Sequence, residues 1–173
     1  MAEKKLAGYH LADKLNVSTL LIDGVEVTST AAELNIVDGV TATAAEINLL
    51  DDLPTDNSTV VAGAESNDVV NVVITLKNAA DAAISSSKIV HAYLSDASTG
   101  VGVAATAPDG GVAIGASGSM LAEVVADKVF ILESTAAGVI TLDLTESGTD
   151  TFYLVLLLPN GEKVVSNAIT TAA

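Results

Sequence analysis

The sequence predicts a mainly β protein, with a C-terminal β-sandwich preceded by a short repeat region of small capped helices. Three observations lead to this prediction. Hydrophobic residues make up 50% of the chain and aromatic residues only 3%, so Val, Ile, Leu and Ala must build the core, which favours strands and tight helix contacts. Short apolar segments separated by turn residues fill the second half of the chain. A short unit also occurs twice in tandem before them.

The tandem repeat is the most informative feature of the chain. Residues 27–39 read VTSTAAELNIVDG, and residues 40–52 read VTATAAEINLLDD. A unit this short cannot bury its own apolar face, so it must pack against neighbours or against other chains. We therefore expect residues 27–53 to serve assembly rather than catalysis.

Each repeat carries the signal of a helix start. Glu33 follows Thr30 by three residues, and Glu46 follows Thr43 in the same way. This spacing matches the capping box, in which the Thr hydroxyl accepts from the backbone N–H of the Glu while the Glu carboxylate accepts from that of the Thr. The sequence therefore predicts a short helix in each repeat.

Apolar residues form one face of each predicted helix. Helices of about two turns are unstable alone in water, so this face needs a partner. We expect a homotrimer in which three chains surround an axis and each donates one helix to a layer. Packing of the helices on the C-terminal domain of the same chain is the alternative. The predicted trimer interface consists of Leu34, Ile36, Val37, Ile47, Leu49 and Leu50.

Two further segments are assigned from composition. Residues 1–26 have a local basic cluster at Lys4 and Lys5 and end in two short strands around the turn Asp23-Gly24. An attachment segment is one interpretation of this end of the chain, and a frayed terminus is the other. Residues 54–67 are rich in Ser, Thr, Asn, Asp and Gly and are predicted to be a linker.

Residues 68–173 are predicted to form an all-β domain. Alternation of apolar and polar residues is clearest around Leu142, and Pro159-Asn160-Gly161 predicts a hairpin turn. The segment 151–158 is apolar on both faces and should be a central strand or one covered by another subunit. The spacing of the strands predicts an immunoglobulin-like β-sandwich, although the Cys…Trp…Cys pattern of antibody domains is missing. The predicted strands cover residues 69–77, 88–95, 111–114, 120–126, 128–134, 138–145, 151–158 and 163–170.

The charge balance argues against two classes of partner. Seven Lys, no Arg and 22 acidic residues give a net charge of −15. Such a chain repels phosphate backbones and anionic membrane surfaces, so we expect neither nucleic acid nor membrane as a partner. No run of about 18 apolar residues occurs, so no transmembrane helix is expected.

The residue types that catalysis needs are scarce. The chain has no Cys and two His, His10 and His91, so a nucleophile–histidine pair has little support. Asp51, Asp52 and Asp56 crowd a loop and could hold Ca²⁺, but their spacing departs from the EF-hand pattern, which favours a solvated turn. We expect no enzyme activity, no cofactor and no metal site.

Two segments resemble known proteins. Residues 30–48, TAAELNIVDGVTATAAEIN, resemble the TAAELN-type repeats of tailed-phage structural proteins, which include head-fibre and capsid decoration proteins and some tail fibres. Residues 150–161, DTFYLVLLLPNG, look like part of a domain common in phage virion proteins. The resemblance implies a trimeric virion component whose N-terminal end binds the particle while its C-terminal domains project.

The resemblance and the shortness of the repeat together favour a capsid decoration or head-fibre protein. It would bind the major capsid protein on the outer surface of the head, and a strongly acidic chain is better placed there than beside packaged DNA. A tail fibre, or a module that binds a host surface glycan or protein, is the alternative. The residues expected to attach to the capsid are Lys4, Lys5, Leu6, Tyr9 and His10.

Overall fold

The computed structural model describes residues 21–36, residue 38 and residues 40–172. The chain divides into two compact units, residues 1–41 and residues 42–173. Twelve strands and two short helices occur in the described part of the chain, which confirms the predicted mainly β class. The boundary between the units falls inside the repeat region, so each unit contains one of the predicted helices.

The first unit contains a small hairpin and a helix. Strands β1 (Leu21–Ile22) and β2 (Val25–Glu26) pair antiparallel. The two turn residues, Asp23 and Gly24, have positive φ angles of 50° and 84°, as tight hairpin turns require. Helix α1 (Ala31–Ile36) follows. The hairpin and the first helix therefore lie where the sequence predicts them.

The second unit starts with helix α2 (Ala44–Asp51) and continues with strands only. In chain order these are β3 (Thr59–Ser66), β4 (Val69–Thr75), β5 (Ile89–Ser95), β6 (Val112–Ile114), β7 (Ser119–Val125), β8 (Val129–Glu133), β9 (Val139–Thr145), β10 (Thr151–Leu157), β11 (Lys163–Val165) and β12 (Ile169–Thr170).

The strands of the second unit form two antiparallel sheets. One has six strands, in the order β11–β10–β5–β8–β7, with β12 also paired to β10. The other has four strands, in the order β3–β4–β9–β6. Strand β10 thus has partners on both sides, which confirms the prediction that the apolar segment 151–158 is a central strand.

The two sheets share one hydrophobic core. Alternate side chains of most long strands point into it, as Val70, Val72 and Ile74 do in β4, whereas β7 contributes only the partly buried Met120. Phe130 and Phe152 are buried among aliphatic residues contributed by both sheets. We refer to residues 59–172 as the two-sheet domain.

The prediction that residues 54–67 form a linker is wrong for most of the segment. Its greater part is strand β3, which pairs with β4 and buries Val60 and Ala62. A register shift between Ala62 and Glu65 interrupts the alternation of apolar and polar residues. That irregularity, together with a composition typical of loops, hides the strand in the sequence.

The last predicted strand, residues 163–170, is divided into β11 and β12. Between them, the side chain of Asn167 accepts a hydrogen bond from Ala62 N (2.8 Å) and donates one to Ala62 O (3.2 Å). An amide side chain therefore occupies part of the β3 edge that a neighbouring strand would otherwise pair with. The break therefore coincides with a long-range pairing of Asn167, and beside it Leu154 N donates to the hydroxyl of Ser166 (2.9 Å).

The turn before β9 provides a test of the packing. Gly138 has a φ of +73°, and a Cβ there would lie 2.6 Å from Ile84 Cγ1 and 2.9 Å from Leu76 O. Gly161 has a similar φ of +87° but open space around it. We expect Gly161→Ala to lower the free energy of unfolding by about 1 kcal/mol through backbone strain alone. Gly138→Ala should lower it by about 3 kcal/mol, because overpacking adds to the strain.

Urea unfolding of both variants measures the difference. Equal losses of stability would show that the space beside Gly138 is not filled as described.

Candidate assembly site

Both predicted capping boxes are present. Thr30 N donates to Glu33 Oε2 (2.7 Å), and Glu33 N donates to Thr30 Oγ1 (3.2 Å). In the second repeat, Thr43 N donates to Glu46 Oε2 (2.7 Å), and Glu46 N donates to Thr43 Oγ1 (3.3 Å). Two backbone donors at each helix start are satisfied by local side chains, which is what a short helix needs.

The capping hydrogen bonds stabilise the ionised form of the two glutamates. The backbone N–H of Thr30, and then its hydroxyl, lower the pKa of Glu33. The same two groups of Thr43 lower the pKa of Glu46. Both carboxylates are therefore ionised near neutral pH, and their negative charge lies at the positive end of the helix dipole.

The helices leave apolar side chains in solvent. Leu34 is 45% exposed on α1, and Ile47 and Leu50 are 42% and 70% exposed on α2. None of the described α2 side chains belongs to the hydrophobic core. The described residues of α2 therefore do not pack on the two-sheet domain, which was the alternative to the trimer. The side chains of Ile36, Val37 and Leu49 lie outside the described residues.

The hairpin of the first unit adds apolar surface that the sequence-based site omits. Leu21, Ile22 and Val25 are all exposed. The sequence contained a sign of this exposure, because a two-stranded hairpin is too small to bury three aliphatic side chains. The predicted attachment residues Lys4, Lys5, Leu6, Tyr9 and His10 lie outside the described residues.

A carboxylate at the end of α2 connects this helix to the two-sheet domain. Asp52 Oδ1 accepts hydrogen bonds from Ser85 N (2.6 Å) and Ser85 Oγ (3.3 Å). Asp52 Oδ2 accepts one from Ser86 Oγ and one from Lys88 Nζ (3.1 Å). We call this set of contacts the Asp52 tether.

The tether favours the ionised form of the aspartate. The Ser86 hydroxyl, then the Ser85 backbone N–H, lower the pKa of Asp52 well below its ordinary value, and Lys88 contributes further. The Asp52 and Lys88 side chains are each only 19% exposed. A partly buried carboxylate with four donors is a structural anchor rather than the solvated turn predicted from the sequence.

Asp52 is also the position at which the two repeats diverge most. The first repeat has Gly39 there, whereas the other differences exchange small or aliphatic residues for one another. A tether of this kind needs a side-chain carboxylate, which glycine lacks. The substitution within an otherwise repeated unit is the sequence signal that could have identified this anchor.

The chain that follows α2 is held to the same end of the two-sheet domain. Thr55 N donates to Lys77 O (2.8 Å), and Asn57 Nδ2 donates to Asn78 O (3.1 Å). Asp56 N donates to Glu162 Oε2 (3.1 Å) in the turn between β10 and β11. These contacts and the tether fix residues 52–57 at one end of the sheets.

The described residues offer little for chemistry. They contain no group of three metal-binding side chains and no enclosed pocket. His91 is exposed on β5. None of the helices within the described ranges is both long and apolar enough to cross a membrane. Each of the two capped helices, taken by itself, carries exposed apolar side chains.

The tether can be tested by truncation. Asp52→Ala removes the acceptor of four hydrogen bonds, and we expect it to lower the free energy of unfolding by about 1–3 kcal/mol. Hydrogen exchange of the α2 amides should also accelerate relative to those of β4 and β9. The matched control is Asp51→Ala, since Asp51 is an exposed carboxylate at the end of the same helix. Equal effects of the two substitutions would contradict the role given to Asp52.

The tether should also respond to acid in a defined direction. Because folding lowers the pKa of Asp52, its contribution is complete above the ordinary carboxyl pKa and is lost as pH falls through the lowered value. The stability difference between the wild type and Asp52→Ala should therefore be constant from about pH 6 to pH 8 and shrink below about pH 4. Urea unfolding across this range measures it. A difference that grows in acid would have the wrong sign.

Comparison with protein-family models, with curated proteins and with solved structures gives no match for this chain.

Proposed function

We propose that the chain is a homotrimeric phage capsid decoration protein of the head-fibre type, which binds the outer capsid surface and projects an immunoglobulin-like β-sandwich. The observation that carries this proposal is the exposure of Leu34, Ile47 and Leu50 on helices that each begin with a capping box. The resemblance of residues 30–48 to phage TAAELN-type repeats supplies the biological context.

The energetics favour association through these helices. Full burial of an aliphatic side chain contributes about 1.5–3 kcal/mol. In the single chain, Ile47 and Leu50 do not gain much of this burial free energy, because both remain exposed to solvent. A trimer offers each helix two neighbours with the same apolar residues, so one kind of contact serves all three chains.

The projecting domain has the features of a β-sandwich. Two antiparallel sheets share one core, and the ten strands β3 to β12 are short. An immunoglobulin-like arrangement is consistent with these features, although the chain lacks both Cys and Trp. The domain would stand on the trimer as the exposed part of the particle.

The charge fits a position on the outside of the head. A net charge of −15 opposes contact with packaged DNA and favours solubility of an abundant surface protein. Residues 1–26, with Lys4 and Lys5, would form the attachment segment. Three such segments around one axis would match a three-fold or quasi-three-fold site on the major capsid protein. Their joint binding would raise the avidity and bridge neighbouring subunits against internal pressure.

Binding of a host glycan by the two-sheet domain has weaker support. Sugar recognition commonly uses an exposed aromatic face, but Phe130 and Phe152 are buried in the core. Tyr93, which is partly buried, donates its hydroxyl hydrogen to Gly100 O (2.6 Å). A tail fibre with the same trimeric repeats remains the second candidate, since the resemblance includes such proteins.

Substitution of the helix face tests the proposed trimer. We expect the wild type to have three times the 17.3 kDa mass of the chain by light scattering after size exclusion. The double variant Ile47→Asp/Leu50→Asp should be monomeric at micromolar concentration and should no longer co-sediment with capsids, because six added charges would meet at the axis. The control is Val61→Asp, since Val61 is 53% exposed on β3 of the same unit.

Two results would refute this proposal. One is a wild-type chain that is monomeric both free and on capsids. The other is a double variant that stays trimeric and still decorates capsids as the control does.

A further inference from the structure

We propose that Asn160 is a site of covalent self-modification, at which the side-chain amide is lost as ammonia and a carboxylate takes its place. The change would weaken the contact between the turn after β10 and the chain after α2. Asparagine is among the chemically least durable residues of proteins, and Asn160 is the only asparagine of this chain that glycine follows. Asn160 and Gly161 both lie exposed in the turn between β10 and β11, so water reaches them.

The reaction uses the backbone nitrogen of Gly161 as its nucleophile. This nitrogen forms a bond to Asn160 Cγ, the bond from Cγ to Nδ2 breaks, and the proton of Gly161 N leaves on the departing ammonia. The product is a succinimide ring. Water then opens the ring at either carbonyl, which leaves aspartate or isoaspartate. Glycine permits the attack because it has no Cβ to crowd the nitrogen or to restrict the backbone angles.

Glu162 holds both ends of the Asn160 amide. Glu162 N donates to Asn160 Oδ1 (3.1 Å), and Asn160 Nδ2 donates to Glu162 Oε2. Negative charge develops on Oδ1 when Cγ is attacked, and a backbone N–H held at that oxygen stabilises this charge. The Glu162 carboxylate contacts the leaving nitrogen, so it can carry the proton of the nucleophile to that nitrogen. The turn therefore contains the groups that assist the reaction.

The hydrogen bonds of the turn control the rate. Gly161 N donates to Leu158 O (3.0 Å), and Leu158 N donates to Glu162 O (2.9 Å). The first bond engages the proton that the nucleophile must lose, so the reaction proceeds only when the turn opens. Exposed turns open locally at a small cost in free energy. Modification is therefore slow in the folded protein and faster in the unfolded chain.

Asn167 provides a comparison within the same chain. It is also exposed, and both ends of its amide are held, since it accepts from Ala62 N and donates to Ala62 O. The residue that follows it is Ala168, whose methyl group hinders approach of the backbone nitrogen. Asn160 and Asn167 thus share exposure and a bonded amide but differ in the residue that attacks.

The new carboxylate would disturb a contact outside the turn. The Glu162 Oε2 atom that accepts from Asn160 Nδ2 also accepts from Asp56 N (3.1 Å). Conversion of the Asn160 amide replaces a donor by a second negative charge beside Glu162, and repulsion between like charges moves that side chain away. Asp56 N then loses its acceptor. The segment that follows the Asp52 tether is held less firmly as a result.

Peptide mapping by mass spectrometry tests the modification. The folded, full-length protein is incubated at mildly alkaline pH, and the mass change from amide to acid is followed at Asn160 and Asn167 in the same sample. We expect Asn160 to react at least about tenfold faster than Asn167, because its nucleophile is unhindered. Unfolding in urea should accelerate the reaction at Asn160. Equal rates at the two asparagines of the folded protein would overturn the inference.

Two variants test the groups that assist the reaction. Gly161→Ala should slow the reaction at Asn160 to about the rate at Asn167. Glu162→Gln keeps the backbone N–H and a side chain of similar size but removes the carboxylate, so it should slow the reaction at least about threefold. Circular dichroism confirms that both variants fold. Reaction at the wild-type rate in both variants would contradict the mechanism.

The consequence of the modification is measured on variants of Asn160. In Asn160→Asp, hydrogen exchange of the Asp56 amide should accelerate at least about threefold, while the amides of β4 and β9 keep their wild-type rates. Asn160→Gln is the matched control, since it retains a neutral amide. An Asp56 amide that exchanges equally fast in the wild type and in Asn160→Asp would overturn the link to the chain after α2. These measurements do not depend on the proposed trimer, so a monomeric wild type would leave the inference standing.

Discussion

Burial of small aliphatic side chains between two sheets is the constraint on which the rest of this structure depends. With few aromatic residues available, nearly every long strand must place alternate Val, Ile or Leu side chains in the same core. That requirement fixes the register of each strand, because a shift of one residue would expose its whole apolar set. It also leaves the ends and outer faces of the sheets free for other interactions. The tether of α2 depends on a scaffold that holds its register.

The helices obey a different rule. A helix of six or eight residues gains little from its own backbone hydrogen bonds, so its stability depends strongly on the capping glutamates. The stability of α2 also depends on Asp52, whose carboxylate joins the helix end to Ser85, Ser86 and Lys88. The helix is oriented by polar contacts at its end, and its apolar side chains remain available for another chain.

Local patterns in the sequence predict the parts of the structure that depend on neighbouring residues. The capping boxes at Thr30 and Thr43 and the hairpin turn at Asp23-Gly24 need only residues within a few positions, and the structure contains all three. Strands with regular alternation of apolar and polar residues, such as β9, can also be predicted from the sequence. The parts that were missed depend on distant residues. Strand β3 becomes recognisable only beside β4 and Asn167, and the donors of Asp52 lie more than thirty positions away.

The divergence between the repeats has a consequence for how such a chain could arise. Duplication of a capped helix yields two equivalent copies, each with an apolar face and neither with a fixed orientation. A glycine codon and an aspartate codon differ by a single base, and the copy that ends in Asp52 has a carboxylate that accepts from four hydrogen-bond donors on the domain. A single side chain at the end of the unit thus fastens the second copy to its domain, while the capping box that starts each helix is the same in both copies.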